Sequence, residues 1–171
     1  DSKVTLSYRH DIKRSIFISK KCLLLLRFGF LVYTVMVCAL VAGTQRDFYT
    51  FLTLPYWSLA LQLVYLFTVV RISIEKKTPS THIKESNKTT HVIYEILFSW
   101  QLFNLLYFAL VLVPQTDFNM DNLENLLIYV NLNVINFVIM WIEQAFNMMR
   151  VNLRHIWFMI LGFVFNFILA G

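Results

Sequence analysis

Three ionisable residues lie inside long apolar runs: Arg27, Glu95 and Glu143. A charge in hydrocarbon is costly, so such residues either pair with one another inside the protein or serve an ion or proton pathway. Arg27 is six residues beyond Lys21, Glu95 four beyond His91 and Glu143 seven before Arg150. At ~1.5 Å per residue that sets all three about 6 to 10 Å from a basic boundary. At matching depth they are expected to face the interior of a helical bundle, with Arg27 paired to at least one carboxylate. One Arg and two Glu make a small, nearly neutral cluster that nothing continues to the opposite face, which favours a lock between helices over a pathway.

A second pattern surrounds Glu143. Tyr129, Asn133, Asn136, Met140, Glu143, Asn147 and Arg150 follow alternating steps of four and three residues, which is one face of a helix. Amides left unsatisfied in hydrocarbon cost several kcal/mol, so this stripe, with Asn131 beside it, must face protein or water. Tyr94, Gln101 and Asn104 share a face of another apolar run and are its expected partners. Two readings follow: interhelical hydrogen bonds that fix packing, each worth roughly 0.6 kcal/mol, or the wall of a polar pocket.

Other chemistries find no residues. Haem between two histidines needs both rings inside the bundle, whereas His10 and His82 fall in polar segments and His91 and His155 at the ends of apolar runs. Cys22 and Cys38 are sixteen residues apart in one run, about 24 Å along a helix, too far for a disulfide; both read as buried apolar fillers. There is no phosphate loop, CxxC, HExxH or GxSxG. No metal and no cofactor is expected.

The elements that must carry these residues are set by composition. Of 171 residues, 58% are hydrophobic and only 15% charged, and the mean hydropathy is +0.61. That is too little charge to coat a water-facing surface, so a soluble domain is excluded and an all-α, polytopic transmembrane helical bundle is expected. Apolar segments run over 23–42, 54–70, 92–113, 126–149 and 156–170. The first four suffice to span a bilayer. The fifth, with fifteen residues, is a short span, a partial one or part of a longer one, so five helices are visible and a sixth is possible in a complete chain. Residues 22–171 thus read as one transmembrane domain, preceded by a basic flank over 1–21.

The net charge of +5 in a soluble protein would point to nucleic acid; here its placement matters more. The amino-terminal flank, the segment 71–91 and the turn before the fifth run hold thirteen Lys and Arg, against Arg46 alone in the two opposite loops. The basic side, including the amino terminus, is expected to face the cytoplasm, or the matrix in a mitochondrial inner membrane. Asn87-Lys88-Thr89, a glycosylation acceptor by pattern, lies on that side and is expected to stay unused. No small-residue cleavage site follows the first run, which is therefore not read as a removed signal peptide. Lys13, Arg14, Lys20, Lys21 and Arg71 are the expected contacts to lipid headgroups, and the first twenty residues are either a solvated flank or a short surface helix.

Leu23-Leu24-Leu25-Leu26-Arg27-Phe28, then Phe51-Leu52-Thr53-Leu54-Pro55-Tyr56-Trp57, and Ile142-Glu143 followed by Val151-Asn152-Leu153-Arg154-His155 resemble the androgen-induced membrane hydrolases and the related rolling-stone-like proteins. The resemblance covers most of the chain from Leu23. It implies a six-helix membrane fold and, in the hydrolase branch, cleavage of fatty-acid esters by an intramembrane Thr helped by a His. The Thr maps to Thr53. The His position, about eleven residues before Glu143, holds Asn131 and Asn133 instead, and Asn cannot serve as the general base that activates a weak hydroxyl nucleophile. Thr53 before Pro55 also reads as an ordinary helix start.

The function expected is that of a non-catalytic integral membrane protein, an accessory or scaffold subunit whose partners are membrane lipids and other membrane subunits, not nucleic acid. Abundant Asn, Phe and Ile fit an AT-rich genome, which makes an organelle respiratory assembly one home for such a subunit. The alternatives are a lipid-ester hydrolase using Thr53 and a small proton- or ion-linked carrier using Glu95 and Glu143.

Overall fold

The computed structural model describes residues 15, 17–44, 54–74, 81–115, 123–147, 160 and 164, and among them no strand occurs. The helices are α1 (Lys20–Thr44), α2 (Leu54–Ile74), α3 (Thr81–Tyr107), α4 (Val113–Gln115), α5 (Leu123–Val130) and α6 (Asn136–Phe146). Two π-helical turns, Phe108–Leu112 and Asn131–Ile135, join α3 to α4 and α5 to α6. The pieces therefore make four rods, each with a stretch long and apolar enough to cross a membrane: Lys20–Thr44, Pro55–Ile74, Thr89–Leu112 and Leu126–Phe146. The expected fifth helix lies outside the described residues except for Ile160 and Val164, both helical and exposed.

Local chemistry explains the ends. Ser19 precedes α1, and its hydroxyl accepts from the Cys22 N–H at 3.3 Å, a serine cap on an otherwise orphaned donor. Pro55 sits in the first turn of α2, where its missing N–H costs nothing. The basic segment expected as a loop over 71–91 is shorter: α2 continues to Ile74, and α3 begins at Thr81. Hydropathy marks only the part of a helix that suits lipid, while the backbone ladder runs on through Lys and Glu, both good helix formers.

Both π turns have an identifiable cause. In the first, Val113 donates to the Phe108 carbonyl, and the next residue, Pro114, has no N–H to give the Leu110 carbonyl. In the second, asparagine amides take over backbone acceptors: Asn131 donates to the Leu127 carbonyl at 2.6 Å and Asn133 to that of Tyr129 at 2.9 Å. Side-chain amides that bond four residues back compete with the helical ladder, and a π turn absorbs one extra residue.

The rods pack in sequence, α1 on α2 and α2 on α3, and α6 closes the bundle against α3 and α1. An inner apolar cluster contains Tyr65, Leu66, Val69, Ile72, Tyr94, Leu97 and Met140. An outer one contains Val37, Val41, Leu59, Ile128 and Leu132. Polarity is otherwise inverted relative to a water-soluble domain. Leu25, Met36, Phe67, Leu110 and Trp141 are among the exposed side chains, while Arg27, Gln62, Gln101, Asn136 and Glu143 are at most 1% exposed. That distribution suits a helical bundle in lipid, where apolar groups gain nothing by hiding and polar ones must find partners inside.

Candidate functional site

The buried polar groups form layers along the bundle. At the end where α1 begins and α6 stops, the Arg27 Nε donates to Glu143 Oε1 at 2.8 Å, and its Nη2 lies 2.5 Å from the same oxygen. The Tyr65 hydroxyl donates to that oxygen at 3.1 Å, and the Asn147 amide approaches it at 3.5 Å. Arg27 Nη1 also donates to the Ser73 hydroxyl at 3.3 Å. Three rods, α1, α2 and α6, thus meet at one carboxylate, and α3 adds the Tyr94 ring, 5.5 Å from that of Tyr65 between centroids.

A second layer lies between the two apolar clusters and draws one side chain from each rod. Gln62 donates to the Thr34 hydroxyl at 3.3 Å and to Asn136 Oδ1 at 3.4 Å, and accepts from the Gln101 amide at 3.0 Å. All four are fully buried. The bonds to Thr34 and Asn136 are long for N–H to oxygen, yet in hydrocarbon the alternative is no partner at all. Toward the other end, Asn104 donates to the Ser58 hydroxyl at 2.9 Å, and the Tyr33 hydroxyl bonds Asn131 Oδ1.

The other expected site residues fall as follows. Glu95 is buried, and its carboxylate lies 3.5 Å from His91 Nδ1, one turn back on α3. His91 is turned inward, 8% exposed. Asn133 is buried and Tyr129 is 48% exposed, so Tyr129 leaves the stripe. The π turn at Asn131–Ile135 rotates everything before it by about one residue, some 100°, and Ile128, 2% exposed, takes the inward position. Lys20, Lys21 and Arg71 are exposed near one end. Cys22 is exposed rather than buried and Cys38 intermediate, because Cys22 shares the flank of α1 with Lys20 and Lys21. Thr53, Lys13, Arg14 and Arg150 lie outside the described residues.

Gln62, Thr34, Ser58, Tyr65, Tyr33 and Ser73 entered the network without having been expected. Gln62 carried a signal, since a lone amide in a span demands a partner by the rule applied to the Asn stripe. The hydroxyls did not, because Ser and Thr satisfy themselves on their own helix, as Ser73 does on the Val69 carbonyl at 2.7 Å. Among the described residues, no group of three or more His, Cys, Asp or Glu stands where it could hold a metal ion. Among the described residues, an apolar crevice of about 450 Å³ opens outward between α1 and α2, lined by Leu31, Val35, Leu63, Val64 and Phe67.

No family model, curated protein or solved structure matches the chain.

Proposed function

We propose that this chain is a non-catalytic integral membrane protein, an accessory or scaffold subunit that packs against other membrane helices and lipid. One observation carries the reading: Thr34, Gln62, Gln101 and Asn136 hydrogen-bond across all four rods, Arg27 bonds Glu143, and large apolar side chains such as Leu25, Phe67 and Trp141 are exposed. A catalytic or transport site needs polar groups turned to substrate. Here the carboxylate best placed for such work, Glu143, is fully buried with one oxygen held by Arg27 and Tyr65. The amide layer at Gln62 also disfavours a proton-linked carrier, because a carboxamide has no proton to pass on at ordinary pH.

The test is purification in mild detergent from the source membrane. A large assembly with this chain in fixed stoichiometry is the expected result, and its other subunits would name the process. Migration alone or as a small homo-oligomer would overturn the proposal. The hydrolase implied by the family resemblance then becomes the reading to pursue, with fatty-ester turnover that disappears in Thr53→Ala.

A further inference from the structure

The two oxygens of the Glu143 carboxylate are treated unequally. Oε1 receives Arg27 Nε at 2.8 Å and the Tyr65 hydroxyl at 3.1 Å, and has Arg27 Nη2 and the Asn147 amide within 3.5 Å. Oε2 is buried and has no hydrogen-bond partner among the described residues. The Tyr94 hydroxyl is likewise buried with no hydrogen-bond partner among the described residues, on a ring that lies 5.5 Å from that of Tyr65, the tyrosine bonded to this carboxylate. Both side chains are fully enclosed. A buried charged oxygen without a donor is among the most costly groups a fold can hold, and such groups in native proteins signal an internal water or ion.

The chemistry selects between the candidates. A cation at Oε2 would sit against the Arg27 guanidinium and be repelled. A proton on Oε2 would leave that O–H without an acceptor and strip Arg27 of its counter-charge. Water meets both needs at once, donating one O–H to Glu143 Oε2 and accepting the O–H of Tyr94.

We infer that Glu143 and Tyr94 hold a buried water at the end of the bundle where α6 stops. Leu97 and Met140, both fully buried and in one apolar cluster with Tyr94, line its dry side. The hydration keeps an Arg–Glu pair in the membrane interior charged. This goes beyond the proposed subunit role and does not depend on it.

Water-edited solid-state NMR on the full chain, carbon-13 labelled and in lipid bilayers, tests the inference by timing magnetisation transfer from water to each side chain. Transfer to the Glu143 Cδ, assigned by its loss in Glu143→Gln, should build up about as fast as at the exposed Lys20 and several-fold faster than at the side chain of Leu132, buried in the other apolar cluster. In Tyr94→Phe the Glu143 signal should slow toward that of Leu132. A Glu143 Cδ as slow as Leu132 in the unmutated protein overturns the site, and that comparison stands even if Tyr94→Phe does not fold. Fast transfer unchanged in Tyr94→Phe overturns the bridging arrangement.

Discussion

Arg27 and Glu143 are each buried with the other as counter-charge, and removing one strands its partner in a medium that cannot solvate it. Breaking such a pair costs roughly 3 to 5 kcal/mol. Arg27→Leu and Glu143→Leu should each lower stability in detergent by about that amount, and the double variant should lose less than either, since no lone charge remains. Additive losses in thermal or denaturant unfolding would show that the two do not act as a pair. Gln62 offers a comparison in magnitude. Its three interhelical hydrogen bonds, at roughly 0.6 kcal/mol each, together contribute about 2 kcal/mol. Gln62→Leu is therefore expected to cost clearly less than Glu143→Leu, even though it touches all three other rods. The ranking follows from charge: a stranded amide loses hydrogen bonds, while a stranded carboxylate also loses its solvation.

At the scale of elements, the fourth rod is the informative one. A continuous α-helix would turn Tyr129 and Asn133 to the same side, and the π turn separates them. Spin labels read this directly. A label at Tyr129→Cys should be mobile and collide with dissolved oxygen in the lipid, whereas one at Asn133→Cys should be immobilised, in a background with Cys22 and Cys38 replaced. Equal mobility at both sites would contradict the phase shift. The turn also shows why asparagine recurs here. Asn131, Asn133 and Asn136 each bond a carbonyl four residues back, so each places an amide N–H on its own helix while loosening the ladder that an uninterrupted helix would keep.

For the molecule as a whole, the four rods are antiparallel, and that follows from which residues meet. The start of α1 reaches the ends of α2 and α6 through Arg27, Ser73 and Glu143, while Val37 and Val41 share a cluster with Leu59 and Ile128 at the opposite end. The loop before α3 and the loop after α4 must then lie on opposite faces of a membrane. From the excess of Lys and Arg on the side of the amino terminus we propose that this side faces cytoplasm or matrix. In a version lacking the native cysteines, an impermeant maleimide should label Lys84→Cys from the cytoplasmic or matrix face alone and Asp121→Cys from the other alone. Labelling of both from one face would contradict the antiparallel arrangement, and exchanged faces would reverse the orientation.

The sequence by itself determined that the chain is an all-α membrane bundle, where its four described spans lie, and that Arg27 and Glu143 sit at one depth inside it. These are properties of windows of about twenty residues, because transfer from water to lipid depends on local composition and a helix advances by a fixed rise. Tertiary structure alone decided that Glu143 pairs with Arg27, that Gln62 joins four rods, and that Tyr129 faces out. Each of those depends on how a helix is rotated about its axis against its neighbours. That rotation is set by packing across the bundle and, in the fourth rod, by a π turn that one added residue in the ladder produces and that apolar periodicity cannot register.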